Sequence, residues 1–187
     1  KEHSDCQVTG FTSYQNGIAN NGITNKSSPY YMAQRPRLQV PLTAPDRIID
    51  AAGWICLAAL WAMTLFAYGN LPEKIPTHFG IGGEVDDYGS KMTFFFLPVI
   101  ATILFIGLSV LNNYPHIFNY PADITPANAL SQYTNATRMM RYLKFSIPFI
   151  SLLTVFMIYR AATTGSGKLG SAFLPIFIVV LVIPLVY

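Results

Sequence analysis

The sequence predicts an all-α, polytopic membrane protein with about four transmembrane helices plus an amphipathic cytoplasmic helix. Three observations predict it: four long apolar runs bounded by charge, glycine or proline; 52% hydrophobic against only 11% charged residues; and a positive mean hydropathy. About 20 helical residues cross a hydrocarbon core about 30 Å thick, and soluble domains carry about twice this share of charge. The lipid bilayer is therefore the first partner the chain implies.

The runs are Ala51–Leu71, Met92–Leu111, Phe145–Tyr159 and Leu169–Tyr187. The third is short, but Leu143 and the uncharged Ala161–Thr164 extend it, giving expected spans at 51–71, 92–111, 143–164 and 169–187. Trp54, Trp61 and Tyr68 recur at intervals of seven in the first span, which puts them on one helix face. Trp61 lies too deep for an interfacial anchor and reads as a helix-packing residue, whereas Trp54 and Tyr68 suit the headgroup level. Pro98, Pro148, Pro175 and Pro184 fall inside the later spans, where each removes one backbone donor. Asp46 and Asp50 suit the positive end of the first helix dipole.

Two segments flank or join these spans. Residues 1–31 are rich in Asn, Ser, Thr and Gly, carry Asn-Gly turn signals and show no apolar period. They read as a polar appendage, with a membrane domain over 32–187 that opens at Met32; the apolar run ending at Tyr187 suggests a truncated tail. Between the second and third spans, Thr125-Pro126 reads as a helix start, and Ala129, Tyr133, Ala136, Met140 and Leu143 form a stripe at spacings of three and four. Either an amphipathic surface helix or an extension of the third span accounts for that stripe. Arg138, Arg141 and Lys144 on its other surface suit inner-leaflet headgroups.

Lys and Arg distribution gives an orientation. Lys1, Lys26, Arg35, Arg37, Arg47, Arg138, Arg141 and Lys144 stand on one side against Lys74, Lys91, Arg160 and Lys168 on the other, a bias of eight to four. The side richer in basic residues stays in the cytoplasm, so both ends are expected inside and the 72–91 loop outside. The same basic residues cluster beside apolar runs rather than forming a stripe for phosphates, which excludes nucleic acid as a partner. Two cysteines, Cys6 in the polar tail and Cys56 in mid-span, build no disulfide framework.

Two segments hold the chemistry-bearing residues. The outer loop carries His78, Glu84, Asp86, Asp87 and Lys91; His78 with Glu84 and Asp86 could ligate a divalent ion, although the spacing matches no metal motif. Pro72 and Pro76 stiffen this loop, its glycines turn it, and Ile75, Phe79, Ile81 and Val85 give it an apolar side that folds back over the helix ends. The second segment is Pro115–Pro121, in which His116 could bind a partner and Asn119 and Tyr120 suit backbone hydrogen bonds at a turn. No nucleotide loop, nucleophile elbow or Cys-x-x-Cys occurs, and no cofactor is implied.

The string Leu71-Pro72-Glu73-Lys74-Ile75-Pro76-Thr77-His78-Phe79, then Gly83-Glu84-Val85-Asp86 and Lys91, resembles the signature of the bacterial membrane family called domain of unknown function 1648. The segment around His116, Asn119 and Tyr120, with Tyr133–Arg138, is similar to the version found in Bacteroidota. In longer relatives this domain precedes the SdpI domain of a toxin-immunity protein, whereas four spans stand here without a second half. The resemblance implies a non-enzymatic inner-membrane protein acting in toxin immunity or membrane signalling, with a protein or peptide partner at the outer loop.

Two alternatives stand beside that expectation. An accessory subunit of a transporter or larger complex would use Thr64, Thr102, Ser109, Ser146, Ser151 and Thr154 as its polar interior. A metal-dependent membrane enzyme would be built on His78, Glu84 and Asp86.

Overall fold

The computed structural model describes residues 35–80, 82–165 and 173–186, all within one compact unit, Arg35–Tyr187. The polar segment 1–31, Ile81, and most of the turn at Gly165–Lys168 lie outside the described residues. The chain runs α1 (Ala44–Tyr68), β1 (Lys74–Phe79), β2 (Val85–Ser90), a 3₁₀ segment Lys91–Phe95, α2 (Phe96–Leu111), a 3₁₀ turn Pro115–Ile117, α3 (Ala129–Thr164) and α4 (Phe173–Val186). Ala44–Tyr68, Lys91–Leu111 and Ala129–Thr164 are long and apolar enough to cross a membrane. The fourth apolar run is helical over the 14 residues of α4.

Of the two readings of the Ala129–Leu143 stripe the structure has the extension of the third span, and the outer segment gains strands. The amphipathic segment and the third span are one continuous helix of 36 residues, roughly 54 Å long at 1.5 Å per residue. The 72–91 loop is an antiparallel hairpin, the sheet formed among the described residues.

Local chemistry explains the helix starts. Thr43 donates to the Asp46 carboxylate from its N–H at 2.9 Å and its hydroxyl at 2.6 Å, so Asp46 caps the first turn of α1 as expected, with Pro45 beside it. Thr125-Pro126 forms a turn rather than the first helical residues: the Thr125 N–H donates to Asn128 Oδ1 at 2.8 Å, and α3 begins at Ala129. Pro98 falls in the first turn of α2, where an N–H is needed least. Pro148 lies inside α3 and cannot donate to the Lys144 carbonyl.

α1 and α3 run parallel, since Asp46 meets Arg138 near one end and the Phe66 and Tyr159 rings lie 6.4 Å apart near the other. The buried face of α1 is Asp46, Gly53, Leu57, Leu60, Thr64 and Ala67, a spacing of three, four and seven. That of α3 is Ala129, Tyr133, Thr137, Arg141, Lys144, Pro148, Ser151 and Val155. The apolar stripe read from sequence is therefore rotated: it holds through Tyr133, after which Thr137, Arg141 and Lys144 turn inward and Leu143 is exposed. α2 seals both helices through Ala101 and Phe105, and three of the four aromatics of α1 reach it or its 3₁₀ lead-in. Trp54 stacks edge-on against Phe105, Trp61 Nε1 donates to Thr102 Oγ1 at 2.9 Å, and Tyr68 packs on Phe95. Ile55, Leu65, Phe66, Phe96 and Ile103 face outward, as lipid-contacting residues do.

Gly53 marks the tightest approach. A Cβ there would lie 3.0 Å from Phe105 Cε2 and 3.8 Å from the Phe145 Cα, whereas one on Gly107 would meet nothing within 4 Å. Gly53→Val is expected to destabilise the protein in detergent by about 1–3 kcal/mol through overpacking. Gly107→Ala is expected to leave it unchanged or raise its stability by about 0.5–1 kcal/mol. Thermal melts of the two variants beside wild type check this ordering.

Candidate functional site

Two groups of polar side chains stand out, one at each end of the parallel helices. The hairpin occupies the end where α1 finishes and α2 begins. Pro76 has no N–H for the ladder, and the register is irregular between Pro76 and His78 and between His78 and Phe79. Gly83, at φ 80°, makes the tip turn, with its N–H donating to Gly80 O at 2.8 Å. Gly89 passes directly beside Thr77, whose Cγ2 would lie 2.7 Å from any Cβ there.

The hairpin is anchored at its base. Leu71 and Ile75 are buried in the same apolar cluster as Phe94, Ala67 and Val155, and Pro76 is fully buried. Lys91 donates to the Glu73 carboxylate at 2.6 Å, its N–H donates to Glu73 O at 3.0 Å, and its ammonium sits over the Tyr68 ring. The expected folding back over the helix ends thus holds for Ile75, while Phe79 and Val85 are half-buried. On the outer side His78 Nδ1 pairs with Asp86 at 2.5 Å, and Asp87 and Tyr88 are exposed.

The Glu84 carboxylate folds over the tip glycines, where it would obstruct any side chain on Gly80 or Gly82. Among the described residues no three His, Cys, Asp or Glu side chains gather where they could hold a metal.

At the opposite end lies an ion-pair network that the sequence reading misassigned. Arg141 and Lys144 were expected at lipid headgroups, but both are buried, with side chains 7% exposed. Lys144 Nζ donates to Asp50 Oδ1 at 2.7 Å, Arg141 Nε to Asp50 Oδ2 at 3.3 Å, and Arg138 Nε to Asp46 Oδ1 at 3.3 Å. Asp50 is thus an ion-pair partner of α3 rather than a cap. A carboxylate at a span end is stable because its counter-charges come with it. The signal was present in sequence: acids four apart on α1 face bases three apart on α3, complementary stripes on two helices.

The Pro115–Pro121 turn closes the same end. The Tyr120 hydroxyl donates to Pro115 O at 2.9 Å, and Arg35 reaches back to donate to Phe118 O at 2.5 Å while lying over the Tyr120 ring. Tyr120 and Tyr133 rings pack 5.6 Å apart. Asn119 is exposed, and the half-buried His116 contributes its carbonyl to Arg35 at 3.4 Å, so this motif is built mainly around Tyr120. Five of the six hydroxyls proposed for a polar interior, Thr64, Thr102, Ser109, Ser146 and Thr154, donate to the carbonyl four residues back, and Ser146 also to Val180 O of α4 at 3.3 Å.

The fold and these two ends define a helical membrane protein whose spans carry a small hairpin and an internal ion-pair network. The chain belongs to the family described as Domain of unknown function (DUF1648), which matches residues 55–102, covering most of α1, the hairpin and the start of α2. It is 31% identical over 159 residues to an uncharacterized protein of Archaeoglobus fulgidus, an alignment covering 78% of this chain and 86% of that one. No solved structure matches it.

Asp50→Asn would leave one acid among three bases, and is expected to cost about 3 kcal/mol of stability, as breaking a buried pair does. Lys144→Met, which leaves two acids and two bases, is expected to cost less, and the double variant to recover much of the Asp50→Asn loss. A double-mutant cycle of melts in detergent measures all three.

Burial pushes the Tyr120 phenol up to about 12 from the ordinary 10.0, with Tyr133 adding to the rise and Arg35 opposing it. A raised value means stability present below pH 10.0 and lost as pH climbs toward 12. The phenolate absorbance missing in Tyr120→Phe is expected to titrate above that of exposed tyrosines.

Proposed function

We propose that this chain is a non-enzymatic binding or sensing protein of the cytoplasmic membrane, with both ends inside and the hairpin outside as its recognition surface. Toxin immunity and membrane signalling both fit such a surface. The observation that carries the reading is the contrast between the hairpin's two sides. Ile75 and Pro76 are buried against the helices and Lys91 fastens the base to Glu73, while His78, Asp86, Asp87 and Tyr88 are presented outward. A polar face held on a rigid base suits recognition of a protein or peptide, because little ordering entropy is lost on binding.

The partition of the family signature supports the same reading. Leu71, Ile75, Pro76, Gly83 and Lys91 build and fix the hairpin, whereas His78 and Asp86 form an exposed pair that contributes little to stability. Side chains with so small a structural role are free to meet a ligand.

Photo-cross-linking from position 88, followed by mass spectrometry of native membranes, tests this. A discrete protein or peptide adduct that disappears on His78→Ala, with the melting temperature unchanged, is the expected outcome. Lipid adducts alone, identical in both proteins, would refute recognition at the hairpin.

A further inference from the structure

A polar cavity of about 400 Å³ lies at the end of the bundle away from the hairpin, independent of the hairpin reading. Its walls are the extended segment 38–42, the Ser109–Asn113 end of α2, and Asp50, Arg141 and Lys144. The segment is held across the opening by Arg35, bonded to the 115–121 turn at one end, and by the Thr43–Asp46 cap at the other.

Two residues that line this cavity each carry a buried side-chain atom with no hydrogen-bond partner among the described residues, Arg141 Nη1 and Asn112 Oδ1. Asp46 Oδ1 stands off from Arg141 Nη1 at 3.8 Å, while Asp46 is already bonded to Thr43 and Arg138. The network holds three bases, Arg138, Arg141 and Lys144, against two acids, Asp46 and Asp50, and so carries one excess positive charge. Buried polar groups are normally satisfied, and an unpaired guanidinium N–H beside excess positive charge is complementary to an oxyanion. Asn112 Oδ1 is an acceptor, so the missing group also presents a donor.

Depth narrows the chemistry. The acids lie in the first two turns of α1, Ser109–Asn113 closes α2, and Arg141 and Lys144 directly precede the apolar stretch of α3. All three place the cavity at the boundary between hydrocarbon and headgroups. We infer that it is a binding site for a phosphate monoanion that also carries a hydroxyl: Arg141 Nη1 and the excess charge hold the oxyanion, and Asn112 accepts from the hydroxyl. Both a hydroxylated phospholipid headgroup and free dihydrogen phosphate have this chemistry.

The test uses the whole chain. Melting temperature and native mass spectrometry are followed in uncharged detergent with inorganic phosphate, against chloride at equal ionic strength, and in vesicles of phosphatidylcholine with or without phosphatidylglycerol. Stabilisation by phosphatidylglycerol alone assigns the site to a headgroup; stabilisation by phosphate in detergent assigns it to the free anion. In either case Arg141→Lys, which keeps the charge but loses the fork, is expected to weaken binding about tenfold. Asn112→Ala, which touches no ion pair, is expected to weaken it severalfold with the protein still folded. No effect beyond that of chloride, or equal binding by wild type and Asn112→Ala, overturns the inference.

Discussion

A charge cannot enter a lipid-embedded helix bundle alone, and the ion-pair network between α1 and α3 is how this protein meets that constraint. Asp46 and Asp50 lie at the start of one span, and Arg138, Arg141 and Lys144 lie in a helix that continues for five further turns into apolar sequence. Pairing them sets the axial register of two parallel helices, because a shift by one turn in either direction would carry one of the two acids beyond the three bases. With that register set, Gly53 meets Phe105 and the Phe145 backbone, Leu57 and Leu60 reach the core, and Phe66 comes beside Tyr159 at the far end.

The hairpin depends on the same register. Its buried residues Leu71 and Ile75 share a cluster with Phe94 at the entry to α2 and Val155 of α3, so the hairpin rests on ends of helices already aligned from below. Lys91 then ties the strand ends together through Glu73 while lying over Tyr68 of α1. The outer polar face is thereby held by packing that originates about a membrane's thickness away.

Much of the fold was legible because bilayer thickness imposes a length on apolar runs, and three of the four are visible at once from it. The seven-residue recurrence placed Trp54, Trp61 and Tyr68 on one face, and the packing role read for Trp61 holds in its bond to Thr102; Trp54 and Tyr68, read as headgroup residues, also pack, on Phe105 and Phe95. The hairpin was not legible as strands, since two prolines and a run of glycines mask the alternation by which short strands are read. The burial of Arg141 and Lys144 was missed for a different reason. Basic residues beside a span read as headgroup ligands unless the acids that would draw them inward are sought on another helix, 91 or more positions away in sequence. The Ala129–Leu143 stripe failed at Thr137 because those ion pairs, rather than apolar content, decide which face of α3 turns inward.

The most direct test of this account is a pair of spin-label distances across α1 and α3, measured in a background with both cysteines replaced. One pair, at Ile48 and Met139, spans the charged end; the other, at Leu65 and Phe156, spans the hairpin end, and all four sites are exposed. Replacing Asp46 and Asp50 together by alanine is expected to lengthen and broaden the Ile48–Met139 distance more than the other, since three bases would then face α1 without counter-charge. Two narrow distributions, both unchanged by that replacement, would contradict the claim that the ion pairs set the register of the bundle.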